Sequence, residues 1–224
     1  MCTASVRKII DLKIQRQNAL LKKYRKSLPK LDESHLLTDQ RVLLHEARAA
    51  KYFWDEFRTL LPTWCVFKNR QHGQTDITNR LLDIGYHHIT NLVKKILEKY
   101  NIEPGLGILH IPHETNSAPL AYDLVEIFRS DIVDTEALRF LRLKKKPFLQ
   151  LEQKYVAYFL HRINKRLAQK HFVEVFGQCC SYEYYVELQI LRFIKAVNHK
   201  EIFDPVYLPN RHDMRCSKKS SKKT

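Results

Sequence analysis

The sequence PGLGILHIPHETNSAPLAYDLVEIFR, residues 104–129, combines a helical apolar pattern with side chains that can bind a cation. In its second half, apolar residues recur at helical spacing. Pro119 suits the first turn of that helix, where no backbone N–H donor is needed. Asp123 and Glu126 stand three positions apart, so they share a face that adjoins the apolar one. The stretch therefore predicts a core helix that carries two carboxylates.

Buried carboxylates cost several kcal/mol unless donors or cations compensate them. Two ways of compensating the buried carboxylates are open at this point. In the structural one, the two acids pair with Arg129, Arg139 or Arg142, and His110 is a hydrogen-bonded core residue. In the functional one, carboxylates and the His110 imidazole hold a hard divalent cation, which suits Mg or Mn in phosphodiester chemistry.

The composition of the 224-residue chain favours a mostly helical protein that binds polyanions. Only 5 glycines and long periodic runs argue against a β-rich fold. The formal charge of +15 favours nucleic acid over a membrane surface as partner. No signal peptide is expected, and no apolar run approaches the roughly 20 residues that span a bilayer. The cysteines lack CxxC spacing, so we expect neither a disulfide framework nor a zinc site, and a reducing cytoplasm.

Changes in composition divide the chain into three predicted segments. Residues 1–38 are a basic helical linker or arm, either solvated or lying along a phosphate backbone, and Pro29 ends the helical stretch within it. Residues 39–207 form the helical domain. Residues 208–224 form a basic, low-complexity tail that we expect to be disordered.

The helical domain opens with a strong amphipathic pattern that Pro62 stops. Glu46 lies beside the apolar stripe, and its default interpretation is an exposed glutamate paired with Arg48 or Lys51. We expect the stripe to face the core through Leu43, Leu44, Ala47, Ala50, Phe53, Trp54, Phe57, Leu60 and Leu61.

Further helices follow along the chain. One is predicted from a cap at Asp76 to about Tyr100, with Asn79 making structural hydrogen bonds. A short helix is expected over residues 131–146, capped by Asp134 or Thr135. A basic helix of about twenty residues and a last helix from residue 181 complete the prediction.

Basic residues of two neighbouring segments are candidates for contacts with DNA phosphates. The alternative is a solvated basic face without a ligand. The candidates are Lys144, Lys145, Lys146, Arg162, Lys165 and Arg166.

Separated motifs together resemble one family. These are E-A-R-A-A-K-Y-F from Glu46, D-I-T-N-R-L-L-D-I-G-Y at 76–86, and G-L-G-I-L-H at 105–110. L-A-Y-D-L-V-E-I-F-R at 120–129 and I-F-D-P-V-Y at 202–207 complete the set. In order, spacing and residue type, these motifs resemble the CRISPR-associated integrase family, the endonuclease-like subunit of spacer acquisition.

The resemblance implies an all-α C-terminal domain with a site for Mg or Mn. By motif position, the implied metal ligands are Glu46, His110 and Glu126. Asp123 matches a neighbouring acid that supports the site or contacts DNA. His113 is an alternative ligand that the family pattern does not require.

The resemblance also implies an activity and partners. The activity is insertion of new spacers into the repeat array, through metal-dependent transesterification or hydrolysis of DNA in the prokaryotic cytoplasm. The implied partners are protospacer and repeat DNA, a second copy of the chain, and a small ferredoxin-like adaptation protein, with no membrane. Nothing in residues 1–38 resembles the family's usual N-terminal β domain. A non-catalytic DNA-binding or assembly remnant of the family is therefore the alternative.

Overall fold

The computed structural model describes residues 3–30, 39–105, 118–144, 147–148 and 150–208. Within these ranges the fold is helical with one short hairpin, which confirms the predicted all-α class. The helices are α1 (Thr3–Lys22), α2 (Asp39–Leu60), α3 (Ile77–Lys99), α4 (Pro119–Arg129), α5 (Thr135–Leu143), α6 (Gln153–Leu167) and α7 (Tyr182–Asn198). The hairpin strands are β1 (Lys170–Val173) and β2 (Gln178–Ser181), which pair antiparallel with Lys170 opposite Ser181.

Helix α4 is the central element of the core. It begins at Pro119 as predicted, and Leu120, Leu124, Val125 and Phe128 are all buried. Because nearly every side chain of α4 is buried, other helices must pack around it on several sides.

The helix does not stop at Arg129 but continues through a π-helical segment, Ser130–Asp134, into α5. An α-helix does begin at Thr135 as predicted, but the chain before it is already helical, so the expected capping role of Asp134 is wrong. Asp134 makes no capping hydrogen bond and is buried, where it accepts hydrogen bonds from Tyr86 and Ser130. Wider turns of this kind are frequent at functional sites because they redirect side chains within a helix.

Helix α2 packs through a face that differs from the predicted stripe at its beginning. Leu43 and Leu44 are exposed, whereas Val42 and Ala49 are buried with Phe53 and Phe57 further along. Val42 and Ala49 lie two turns apart and align with the aromatic residues, so they define the buried face. Glu46 is partly exposed at the edge of this face.

Helix α3 begins and ends as predicted. Asp76 accepts a hydrogen bond from the backbone N–H of Asn79, and the helix terminates at Tyr100. Asn79 makes structural hydrogen bonds, as expected. At Gly85 the helix meets the π-helical segment so closely that an added Cβ would lie 2.4 Å from Cγ1 of Val133.

Helix α1 is part of the same core. Ile9, Leu12, Leu20 and Leu21 are buried among residues of the other helices. The interpretation as a solvated arm is therefore wrong for residues 3–22, because the helix buries an apolar face against α2 and α4. The boundaries near residues 38 and 207 remain predictions.

The hairpin between α6 and α7 was not predicted. Helix α6 ends at Leu167, so it is shorter than the twenty residues expected. Cys179 of β2 is disulfide-bonded, which the cysteine spacing did not indicate. Within the described part of the chain, no helix is long and apolar enough to cross a membrane.

Candidate functional site

Two of the predicted metal ligands meet at one cationic side chain. The Lys13 Nζ of α1 lies 2.5 Å from Oε1 of Glu46 on α2 and 2.9 Å from Oε2 of Glu126 on α4. Glu46 is partly exposed and Glu126 is buried. Three helices therefore converge to place two carboxylates around one positive charge.

The second oxygen of Glu126 binds an arginine of its own helix. Nη1 of Arg129 lies 2.5 Å from Oε1 of Glu126, as the structural alternative expected. Arg139 and Arg142 bind other groups, namely Glu136 and the Leu60 carbonyl. Glu126 is thus held between Lys13 and Arg129, with each carboxylate oxygen facing a cation.

Glu46 is not the exposed glutamate, paired within its own helix, that its position in the sequence suggested. Its partner is Lys13, which lies 33 positions away in the sequence, rather than Arg48 or Lys51. Lys51 instead pairs with Asp55, one turn along α2. Because Lys13 also contacts Glu126, Glu46 belongs to a site with two carboxylates.

The electrostatics of Lys13 reflect these two contacts. Burial acts to lower the pKa of Lys13, but Glu126 and Glu46 outweigh it and raise the pKa above 10.5. The ammonium group is therefore charged at physiological pH, and the site holds a full positive charge between its carboxylates.

Aromatic and ionic groups pack around Arg129 and hold its guanidinium group in place. The guanidinium carbon of Arg129 lies 4.5 Å from the centroid of the Tyr86 ring, and that of Arg70 lies 5.1 Å from it. The Tyr86 hydroxyl donates to Asp134 at 2.5 Å. Burial and the Asp134 charge raise the pKa of Tyr86 well above 10.0, which keeps the hydroxyl a donor. These contacts fix the plane of Arg129 and hence the orientation of Glu126.

The remaining predicted site residues have different surroundings. Asp123 is wholly buried on α4, one turn before Glu126. His110 and His113 lie outside the described residues. Among the residues that are described, no three His, Cys, Asp or Glu side chains form a group that would hold a metal ion. The site seen is therefore the pair Glu46 and Glu126.

The pair fits a divalent cation by its chemistry and geometry. Carboxylate oxygens are the ligands that Mg²⁺ and Mn²⁺ prefer. One oxygen of each residue already lies within 2.9 Å of a common positive charge. Mg²⁺ is commonly bound by one or two carboxylates with water and phosphate oxygens completing its shell. Glu46 and Glu126 can therefore supply the protein ligands that such an ion requires.

A cleft of about 350 Å³, partly open to solvent, adjoins Lys13 and Glu126. Its walls include Lys13, Glu126, Arg129, Tyr86 and Gln17. Gln17 is buried, with 3% of its surface exposed, and its Oε1 accepts no hydrogen bond from the described residues. A buried amide oxygen without a donor is costly, so a hydrogen bond to this oxygen would stabilise the protein.

The candidate DNA-binding residues differ in their exposure and in their contacts. Lys165 is exposed on α6, and Lys144 stacks on aromatic rings, with Nζ 4.6 Å from the Tyr155 centroid. Arg162 pairs with Glu136 at 2.7 Å. Lys145 and Lys146 lie outside the described residues.

Arg166 belongs with the core rather than with the surface. It is 7% exposed, and its guanidinium nitrogens lie 3.8 Å from Asp131 and from Glu136. A phosphate would have to break these contacts to reach it, so we exclude Arg166 from the proposed DNA surface.

Sequence analysis missed Lys13 and Gln17 as residues of the site. They stand four positions apart in the basic stretch, so they share one face of α1. That spacing was the available signal, but the many other basic residues around it obscured the pattern.

Comparison with known families gives an independent finding. The family model for "CRISPR associated protein Cas1" matches residues 1–174. A CRISPR-associated endonuclease Cas1 of Saccharolobus solfataricus is 31% identical over 121 residues, which cover 53% of this chain and 34% of the relative. The chain spans between 33% and 62% of the length of such curated relatives.

Solved structures share the fold. A casposase bound to its integration product has a TM-score of 0.77 at 21% identity, over 92% of this chain and 64% of the casposase. A Cas6-RT-Cas1–Cas2 complex contains a chain with a TM-score of 0.73 at 20% identity, over 93% of this chain and 25% of that one. The described helices therefore have the arrangement found in these proteins.

Proposed function

Because the chain belongs to the CRISPR-associated protein Cas1 family, we propose that it is the catalytic helical domain of a CRISPR adaptation integrase. Its activity is that of a DNA endonuclease and transesterase that inserts new spacers into the repeat array. It depends on Mg²⁺ or Mn²⁺. The curated relatives that carry the name endonuclease support this assignment.

The observation that carries the proposal is the meeting of Glu46 and Glu126 at one cation position. These are two of the three residues that the family resemblance implies as metal ligands, and they come from helices that are distant in sequence. His110 is proposed as the third ligand. When bound, the divalent ion supplies charge stabilisation at the scissile phosphate and activates the attacking hydroxyl.

The residues of the chain have distinct proposed tasks in this reaction. Glu46 and Glu126 hold the ion, and Arg129 orients Glu126 through its 2.5 Å contact. Lys144 and Lys165 bind the DNA backbone and position the phosphodiester. A DNA 3′-hydroxyl loses its proton and attacks the phosphorus, a new P–O bond forms as the P–O3′ bond of the target strand breaks, and the leaving 3′-oxygen takes up a proton. Water in place of the hydroxyl gives hydrolysis.

The proposed partners follow from the family and its relatives. The casposase relative was solved with an integration product, and another relative was solved in a complex that contains Cas2. For this chain we propose protospacer and repeat DNA, a second copy of the chain, and a small ferredoxin-like adaptation protein as partners.

The test is Mn²⁺-dependent or Mg²⁺-dependent strand transfer and nicking of a branched DNA, with and without the adaptation protein. We expect the parent chain to be active and the Glu46→Gln and Glu126→Gln variants to lose at least about two orders of magnitude of rate, since metal-site groups supply several kcal/mol of transition-state stabilisation.

Glu56→Gln is the matched control. Glu56 lies on the same helix as Glu46 and also pairs with a lysine, Lys26, at 2.5 Å, but at a more exposed position. The control should retain activity. A parent chain that binds DNA but cleaves none with either metal and with the partner present would favour the non-catalytic remnant instead.

A further inference from the structure

We propose that Lys13 is a resident counter-ion, by which we mean a protein cation that holds Glu46 and Glu126 together until a divalent ion displaces it. The inference rests on the proposed function in one respect, namely that the two glutamates bind a divalent ion. It adds a role for a residue of α1 that the family resemblance did not imply.

The first argument is geometric. Lys13 Nζ lies 2.5 Å from one oxygen of Glu46 and 2.9 Å from one oxygen of Glu126. A bound Mg²⁺ needs ligand oxygens at about 2.1 Å. An ion that takes the same two oxygens from the cleft would overlap the ammonium group. Lysine and metal therefore compete for the same position.

The second argument is the balance of charge. Glu46 and Glu126 contribute two negative charges, and Lys13 and Arg129 contribute two positive ones, so these four charges cancel. A divalent ion added to this set would meet two cations at close range in a partly buried place, where repulsion is strong. One of the two cations must withdraw.

Lys13 is the cation that can withdraw. Arg129 is held between Glu126 and the face of Tyr86, at 2.5 Å and 4.5 Å respectively. Lys13 has a flexible four-carbon stem, and its charge is a compact group without a fixed plane. Its contacts within the site are with the two carboxylates that the metal would take over.

The cleft also contains an acceptor for the displaced group. Gln17 is one turn after Lys13 on the same face of α1, and both residues line the cleft. The buried Oε1 of Gln17 accepts no hydrogen bond from the described residues. The displaced ammonium group can donate to this oxygen once the Gln17 side chain turns its amide toward the cleft.

The experiment measures Mn²⁺ binding directly, by titration with electron paramagnetic resonance detection of free Mn²⁺, without DNA and without reference to activity. It compares the parent chain with Lys13→Gln, and with Lys8→Gln as the control. Lys8 lies on the same helix and pairs with Asp204 at 3.2 Å on the surface, so the control loses the same charge and also an ion pair.

We expect Lys13→Gln to bind Mn²⁺ at least about tenfold more tightly than the parent, which corresponds to about 1.4 kcal/mol. Lys8→Gln should bind within about twofold of the parent, because exposed charges are screened. Unchanged or weaker binding by Lys13→Gln, with Glu46-dependent binding by the parent, overturns the counter-ion role alone. Absence of Mn²⁺ binding in every variant overturns the proposed function as well.

A second measurement needs no variant and so does not depend on how Lys13→Gln folds. Acylation of lysines in the parent chain is followed by mass spectrometry with and without Mn²⁺. We expect the rate at Lys13 to rise with Mn²⁺ relative to that at Lys8, because displacement removes its two carboxylate partners. A ratio that Mn²⁺ leaves unchanged contradicts displacement.

Discussion

Arg16 of α1 forms a buried ion pair with Asp131 of the π-helical segment, 115 positions away in the sequence. Arg16 also donates to the Leu208 carbonyl at 2.7 Å, and Asp131 accepts a hydrogen bond from Tyr182. Lys13 lies three positions before Arg16, on the neighbouring turn of the same helix. The pair therefore fixes the position of α1 and with it the depth at which Lys13 enters the candidate site.

Loss of this pair should strongly destabilise the protein. Arg16→Leu leaves the Asp131 carboxylate buried without its main cation, and we expect a loss of about 3–5 kcal/mol in the free energy of unfolding. Lys8→Gln removes only an exposed pair and should cost less than about 1 kcal/mol. Urea unfolding of the three chains measures both values, and equal losses would contradict the anchoring role.

The same pair predicts a loss of stability in acid. Burial acts to raise the pKa of Asp131, but Arg16, Arg166 and Lys23 outweigh it and lower the pKa below 3.8. A depressed folded-state pKa contributes stability that is complete above the unfolded-state pKa and is lost as the pH falls through the folded-state value.

The parent chain should therefore lose unfolding free energy as the pH falls below about 4, and Asp131→Asn should lose less over the same interval. Asp131→Asn will be less stable at neutral pH, so the comparison concerns the slope against pH rather than the absolute value. Parallel curves for the two chains would show that Asp131 does not contribute.

The close approach at Gly85 predicts sensitivity to a single methyl group. Gly85→Ala places its Cβ against Val133, and overpacking of this kind costs about 1–3 kcal/mol. Val133→Ala removes the atom that clashes, so the double variant should lose less than the sum of the two single variants. Thermal or urea unfolding of the four chains tests this, and additive losses would contradict it.

The proposed DNA surface predicts a specific salt dependence. Lys165→Gln should reduce the slope of log affinity against log salt by about 0.9 for duplex DNA, the value for one phosphate contact. Lys8→Gln is again the comparison, because Lys8 pairs with Asp204. Fluorescence anisotropy at several salt concentrations gives the slopes, and an unchanged slope would remove Lys165 from the surface.

The sequence predicted the helices whose boundaries depend on local signals. Pro119 at the start of α4 and Asp76 at the start of α3 act within one turn of themselves, so their effect can be read locally. It did not predict that Leu43 and Leu44 of α2 are exposed, because burial at this end of α2 depends on which face α1 covers. The π-helical segment likewise depends on partners such as Tyr86 that are distant in sequence.

The carboxylates of the site were found because motif resemblance links separated stretches. Lys13 was missed because its partners are on two other helices, and its spacing from Gln17 does not stand out among the other basic residues of α1. Buried apolar residues of α1, such as Leu20 and Leu21, follow a loose helical pattern among many lysines and arginines, which made the helix look solvated. The contacts of Lys13 and the burial of α1 both depend on tertiary packing, which local sequence patterns do not show.

The central claim is that Glu46 and Glu126 bind one divalent ion together. Calorimetric titration with Mn²⁺ of the parent, Glu46→Gln, Glu126→Gln and the double variant tests it most directly, with Glu56→Gln as control. We predict one site in the parent and in the control, and loss of that same site in each single variant with no further loss in the double. Single variants that keep the parent's affinity, or that each remove a different site, would contradict the claim.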